Sequence, residues 1–194
     1  LKSLENIKKI IILDNSNDLI LKEKINKIYP HINFILSKKN NGYGSGNNKI
    51  FRLAKTSHVL VLNPDTILSK NCINELIHQA NLIKNKFAIL APSEKNIIKK
   101  EIMEVDHVKG FSMLVNLSKI KKIKMFDENF FLYLEEIDLC KRLKLASEKI
   151  YICGKAKITH LSAKSSNIGF EFEKCRNWHW MWSKVYYNKK HKNF

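Results

Sequence analysis

Two groups of acidic residues carry the chemistry legible in this chain. The first is Asp65. The apolar run His58-Val59-Leu60-Val61-Leu62 ends abruptly in Asn63-Pro64-Asp65. Pro64 has no backbone N–H and biases Asn63 toward extended geometry, so a strand stops there. Asp65 then lies just past the carboxyl end of a buried strand, the edge at which open α/β sheets bind ligands. A carboxylate in that place can hold a divalent cation against a phosphorylated substrate. The second group is Glu135-Glu136-Ile137-Asp138, entered from the apolar run Phe130-Phe131-Leu132-Tyr133-Leu134. Acids at the start of a helix suit its dipole. The apolar approach argues for more, because burial raises a carboxylate's pKa and neighbouring like charges raise one member further. A general base is made that way. Asp138 and Arg142 are four apart, and a helix ion pair accounts for Asp138. Glu136 lies on another face with Cys140 and Leu143 and has no local partner. It is therefore the preferred base over Glu135 and Asp138.

The elements that must position these groups follow from pattern. Ile7–Leu13 reads as a strand ended by Asp14-Asn15-Ser16, with a helix near Leu19–Ile28 broken by Tyr29-Pro30. Ile32–Leu36 is a second strand. Asn40–Asn48 reads as a glycine-rich loop, followed by a helix through Ala54. After the strand before Asn63 come a helix over Ser69–Lys84 and a strand at Phe87–Leu90. This alternation predicts an α/β fold with a central, mostly parallel sheet flanked by helices. Glu94–Lys100 reads as a loop. Met103–Asp106 and Phe111–Asn116 read as strands, Glu135–Ala146 as the acidic helix, Lys149–Cys153 as a strand and Ile158–His160 as a strand end. The run Phe170–His191 is expected to be helical. Its Trp178, Trp180, Trp182, Tyr186 and Tyr187 among basic residues suit a membrane interface, a sugar-stacking surface or packing on the domain.

With 194 residues and 44% hydrophobic content, the chain is expected to form one domain over residues 1–194 with a substantial core. No apolar stretch reaches the roughly 18–20 residues a membrane span needs. The net charge of +17 invites a nucleic-acid or anionic-membrane reading. Only Arg52, Arg142 and Arg176 among 35 basic residues are arginines. Readers of phosphates and base edges favour arginine forks, so nucleic acid is not an expected partner. The scattered lysines, with abundant Asn and Ile, look like codon bias toward A and T. Cys72, Cys140, Cys153 and Cys175 show no metal spacing and read as buried free thiols of a reducing cytoplasm.

The loop Asn41-Gly42-Tyr43-Gly44-Ser45-Gly46 fits neither a Walker A loop nor the dinucleotide fingerprint. Taken in order, however, the motifs resemble an inverting glycosyltransferase of family 2 with the GT-A fold. They are Leu13-Asp14-Asn15-Ser16, Asn41-Gly42-Tyr43-Gly44 with Asn47, Leu62-Asn63-Pro64-Asp65, Val108-Lys109-Gly110, Phe126-Asp127-Glu128 and Glu135-Glu136-Ile137-Asp138-Leu139 with Arg142. The rhamnosyltransferase-like branch that builds bacterial surface polysaccharides looks most similar. The resemblance implies a nucleotide-diphosphate sugar donor bound by Asp14, Asn41, Gly42, Gly44, Asn47, Asn63 and Asp65, and a glycan or lipid-linked acceptor. It implies Mg²⁺ or Mn²⁺ at Asp65, the last acid of a DxD-type motif whose first position is Asn63 here. His160, in some relatives, completes that metal site, and a histidine beside an oxygen ligand suits Mn²⁺ somewhat better. Glu136 falls where the family places its base. The family's first strand has no counterpart, and Leu1–Glu5 reads as the tail of the helix after it. The implied location is the cytoplasm, peripheral at the inner face of the plasma membrane.

Two other readings remain. A sugar nucleotidyltransferase shares the plan and the metal carboxylates. A non-catalytic basic binding module would scatter its acids without a shared pocket, and its binding would collapse steeply with salt.

Overall fold

The computed structural model describes residues 9–94, 100–161 and 169–192. The helix tail expected at Leu1–Glu5, the start of the first strand at Ile7, and most of the loop expected after Glu94 lie outside the described residues. In chain order the elements are β1 (Ile11–Asp14), α1 (Leu19–Ile28), β2 (Asn33–Leu36), α2 (Tyr43–Leu53), β3 (His58–Leu62), β4 (Thr66–Leu68) and α3 (Cys72–Leu82). They continue with β5 (Ile89–Glu94), β6 (Ile102–Glu104), β7 (Ser112–Asn116), α4 (Leu117–Lys122), α5 (Glu135–Leu145), β8 (Ile150–His160) and α6 (Phe170–His191).

β1 and β2 pair in parallel. The larger sheet runs in the order β3-β7-β5-β8-β4, with β6 against β8. Within it only β5 and β8 are parallel; the other ladders are antiparallel. The α/β architecture thus stands, with a mixed sheet in place of the mostly parallel one expected. β4 and β6 pair antiparallel with β8, and β7 pairs antiparallel with β3 and β5, ladders between distant segments that local alternation does not reveal.

Both faces of this sheet are covered, so its strands are apolar in both directions. Val59 and Val61 of β3 and Met113 and Val115 of β7 face α2, α4 and α5, against Phe51, Ile120, Phe126, Leu139 and Leu143. Leu60, Leu62 and Leu114 face the opposite layer, with Leu76 and Ala80 of α3 and Phe87. The period of two along a strand sends alternate side chains to opposite cores.

Two further differences from pattern have clear causes. The glycine-rich segment is helical from Tyr43 onward. Gly44 lies so near Phe126 that an added Cβ would stand 3.1 Å from its Cβ, and Gly46 is as close to Leu13. The glycines let α2 pack this closely, at a propensity cost of about 1 kcal/mol each. The strand segments at Lys149–Cys153 and Ile158–His160 belong to one strand, β8: β5 pairs with both parts across a register shift between Pro92 and Ser93, β6 pairs with the first part and β4 with the second.

Residues 123–134 join α4 to α5 and are held from both sides. Buried Asn48 of α2 donates to the Phe126 carbonyl at 2.9 Å and accepts from the Phe126 amide at 3.0 Å. Glu128 accepts from Asn48, Arg52 and Ser45. From the other side, α6 meets the segment through Tyr186 on Phe130, with ring centroids 4.8 Å apart, and through His179 stacked on Phe131. Trp178, Met181, Trp182 and Val185 remain exposed on its other face. Of the cysteines, Cys72, Cys140 and Cys153 are buried and free as expected, whereas Cys175 is exposed.

Gly42 is the most constrained position. Its φ is 89°, and an added Cβ would lie 2.2 Å from the Phe131 carbonyl oxygen. Gly42→Ala is expected to lower unfolding stability by more than about 2 kcal/mol, measured by urea denaturation. A loss no larger than that of a surface substitution would contradict this packing.

Candidate functional site

Asp65 sits between β3 and β4, in the segment that carries the chain from one edge of the sheet order to the other. Pro64 ends β3, and the Thr66 hydroxyl closes the turn on the Asn63 carbonyl at 2.6 Å. The chain re-enters the sheet with Thr66 opposite His160. This pairing brings Asp65 Oδ2 within 3.3 Å of His160 Nε2. The Leu161 amide donates to the Asp65 carbonyl, and the imidazole stacks on Phe111 with centroids 4.5 Å apart. Asp65 is 8% exposed, and its Oδ1 has no hydrogen-bond partner among the described residues. A buried carboxylate oxygen without a partner is costly. That oxygen, with a neighbouring imidazole nitrogen, fits a hard divalent cation whose remaining positions are filled by substrate and water oxygens. Among the described residues no cluster of three or more metal-ligating side chains exists.

Glu135 and Glu136 open α5. The two residues before them, Tyr133 and Leu134, have φ of 70° and 64°. Left-handed backbone at non-glycine residues costs roughly 1–2 kcal/mol each and persists where surroundings enforce it. Here Ser183 of α6 donates to the Leu132 carbonyl at 2.8 Å, and Arg176 donates to the Tyr133 hydroxyl at 2.7 Å. This tight turn aims the first turn of α5 inward. Glu135 is 5% exposed, with Oε2 unpartnered among the described residues. Burial, then the charge of Glu136, push its carboxyl up to about 8. Burial also raises Glu136, although its own backbone amide and the charge of His107 act against the rise.

Glu136 lies against the backbone of Gly110, where an added Cβ would meet its Cβ at 3.5 Å and the Tyr43 ring at 3.6 Å. The Tyr43 hydroxyl donates to the Gly110 carbonyl. Burial and the two glutamates push that phenol upward. The next residue, Phe111, accepts from the Asn63 amide at 2.8 Å and stacks on His160. Adjacent residues of one loop therefore touch the base candidate and the Asp65–His160 pair.

The remaining expected residues fall in different places. Asp14 ends β1. Its carboxylate accepts from the Ser16 amide and hydroxyl and from the Asp18 amide at 2.6–2.9 Å. Partial burial would raise its pKa, but these bonds win and lower it. Asn41 is exposed at the start of α2, beside Gly42. Asn47 donates to the Tyr43 carbonyl one turn back, and Gly44 packs on Phe126. Asp138 is wholly buried. Arg142 reaches it at 2.7 Å, as expected from spacing, but Lys190 at 2.7 Å and His191 at 2.8 Å join from α6. With its carboxylate enclosed by three basic groups, Asp138 belongs to the packing of α5 on α6. Sequence reasoning missed Lys190, His191 and Asn48, since only tertiary contact relates them to the loop.

Known proteins of this architecture are GT-A glycosyltransferases. GalNAc-T7, solved with UDP, GalNAc and Mn²⁺, superposes with a TM-score of 0.67 at 10% identity, over 79% of this chain and 37% of that one. The mannosyltransferase PcManGT from Pyrobaculum calidifontis, solved with GDP-Man and Mn²⁺, gives 0.67 at 8% identity, over 80% and 48%. In sequence, residues 1–153 match glycosyl transferase family 2, and the chain belongs to that family. It is 28% identical to the low-salt glycan biosynthesis hexosyltransferase Agl10 of Haloferax volcanii, over 81% of this chain and 60% of that protein. It is also 28% identical to the rhamnosyltransferase WbbL of Escherichia coli, over 92% and 83%.

The Glu135 shift has a testable sign. An acid whose pKa is raised by folding, here from 4.5 to about 8, contributes full stability below its ordinary value. That contribution is lost as pH rises through the folded value. Glu135→Gln cannot ionise. It is expected to match the parent chain in acid and to melt a few degrees higher at alkaline pH, read by calorimetry across the range. An alkaline melting temperature below the parent's would refute the assignment.

Proposed function

We propose that this chain is an inverting glycosyltransferase that moves a sugar, such as rhamnose, from a nucleotide-diphosphate donor to a surface polysaccharide or lipid-linked acceptor. The observation that carries this reading is the Gly110–Phe111 junction. One side of it touches Glu136, and the other is stacked and hydrogen-bonded to the Asp65 end of the sheet. A base candidate and a cation-holding pair packed against adjacent residues of one loop is the arrangement an in-line displacement needs. The solved neighbours that carry UDP or GDP-Man with Mn²⁺ support the same class of donor.

In this reading Asp65 and His160 would hold Mg²⁺ or Mn²⁺, which neutralises charge on the departing diphosphate. Asp14, at the turn after β1, contacts the nucleoside. Asn41 and Gly42, with Gly44 and Asn47 of α2 and Asn63, shape the donor side. Glu136 takes the proton from an acceptor hydroxyl. That oxygen forms a bond to the anomeric carbon as the bond to the diphosphate breaks on the opposite face, and the anomeric configuration inverts. Glu135 lies buried beside it, and Asp138 fixes the helix that carries both.

The outward face of α6 supports peripheral membrane contact. Trp178, Met181, Trp182 and Val185 recur at helical spacing, all exposed, among lysines suited to anionic headgroups. Among the described residues no helix is long and apolar enough to cross a membrane.

Glu136→Gln is expected to keep the fold and nucleotide binding while lowering turnover on the order of a thousandfold, in an assay with labelled nucleotide sugar. Asp65→Asn should abolish the Mn²⁺-dependent rise in melting temperature given by UDP or GDP. Near-normal turnover in the first variant would remove Glu136 from its role. An unchanged rise in the second would do the same for Asp65. Trp178→Ser with Trp182→Ser should reduce co-sedimentation with anionic vesicles severalfold, and undiminished co-sedimentation would exclude that face as the contact.

A further inference from the structure

Tyr43 opens α2 and takes part in no step described above. Gly42 precedes it, and Asn47 donates to its carbonyl at 3.0 Å. Its amide donates to the Phe131 carbonyl at 3.0 Å, and its ring meets Phe126 edge-on with centroids 5.9 Å apart. The hydroxyl reaches 67 residues ahead to the Gly110 carbonyl. One side chain thus connects the start of α2 to the loop of residues 107–111.

That loop is held at two consecutive carbonyls. Gly110 accepts from Tyr43, and Phe111 accepts from the Asn63 amide at 2.8 Å. The first residue touches the base candidate. A Cβ built on Gly110 would stand 3.5 Å from the Glu136 Cβ and 3.6 Å from the Tyr43 ring. The second stacks on His160, whose Nε2 is 3.3 Å from Asp65 Oδ2. A phenyl ring alone would fill the space against Phe126. The hydroxyl adds the bond to Gly110, and it stays a donor, because burial and the charges of Glu135 and Glu136 push the phenol upward. A hydroxyl committed to a loop carbonyl sets a position and moves no proton.

We propose that Tyr43 is a positioning residue for the transfer: by holding the Gly110 carbonyl it fixes Glu136 relative to the Asp65–His160 pair, so that base and cation address one donor sugar. The proposal rests on the transferase reading, and the experiment separates the two.

Tyr43→Phe removes the hydroxyl and keeps the ring. The full chain and this variant are compared well below the lower of their melting temperatures. Hydrogen exchange over residues 107–111 is expected to quicken severalfold in the variant, with α3 and β8 unchanged. Turnover of labelled nucleotide sugar should fall roughly tenfold to a hundredfold, with donor KM and the Mn²⁺-dependent thermal shift given by UDP or GDP unchanged. In a Glu136→Gln background the same substitution should cost nothing further, because it acts through that carboxylate. A merely structural tyrosine would lower turnover by the same factor in both backgrounds, and that result overturns the assignment. Unchanged exchange over the loop, or turnover equal to the parent's, would do the same. A parent chain that neither transfers sugar nor responds to nucleotide with Mn²⁺ would remove the transferase reading itself, and this role with it.

Discussion

The structure depends on how α6 holds the turn that launches α5. Tyr133 and Leu134 both take left-handed backbone conformations with side chains that disfavour them. Earlier in the same segment, Lys124 and Met125 do likewise. Such a path persists only if its surroundings over-determine it. Arg142 donates to the carbonyls of Ile123 and Met125, and α6 holds Leu132 and Tyr133 through Ser183 and Arg176. The orientation of Glu135 and Glu136 is thus set by a helix that begins 34 residues later in the chain.

The same helix supplies the charge balance. Asp138 is fully buried, and an unpaired carboxylate there would be very unfavourable. Arg142, Lys190 and His191 surround it. Lys190 also reaches Asp127 at 2.7 Å. Partial burial works against ionisation of Asp127, yet bonds from Lys190, the Asn129 amide and Tyr186 hold it down at about 2. Removing one member of such a cluster leaves its partner buried without compensation. All three arginines make contacts within the chain: Arg142 with buried Asp138, Arg52 with Glu128 at the surface, and Arg176 with Tyr133. The net positive charge resides mainly on lysines, consistent with a surface field rather than a dedicated phosphate fork.

Much of the fold was legible locally. β3 showed itself because both its faces are apolar, and Pro64 marked its end. The Asp138–Arg142 pair followed from helical spacing, and α6 spans the run expected to be helical. The glycines of α2 misled, because a loop and a helix pressed against Phe126 and Leu13 use the same residue. β8 looked interrupted between Cys153 and Ile158, although β5 pairs with it on both sides of that gap. The unpartnered, buried hydroxyl of Ser112 left no trace in sequence, since a serine in a strand shows nothing of whether its hydroxyl is satisfied.

The sequence by itself determined which chemical groups are present, where strands and helices alternate, and the order of motifs that marks the family. Those are properties of residue type and short spacing. Only tertiary structure decided which acids are available. Asp138 and Glu136 are two residues apart on one helix. One is enclosed by cations from α6 and the other faces the Gly110 loop, because burial and long-range partners, not identity, govern whether a carboxylate can take a proton.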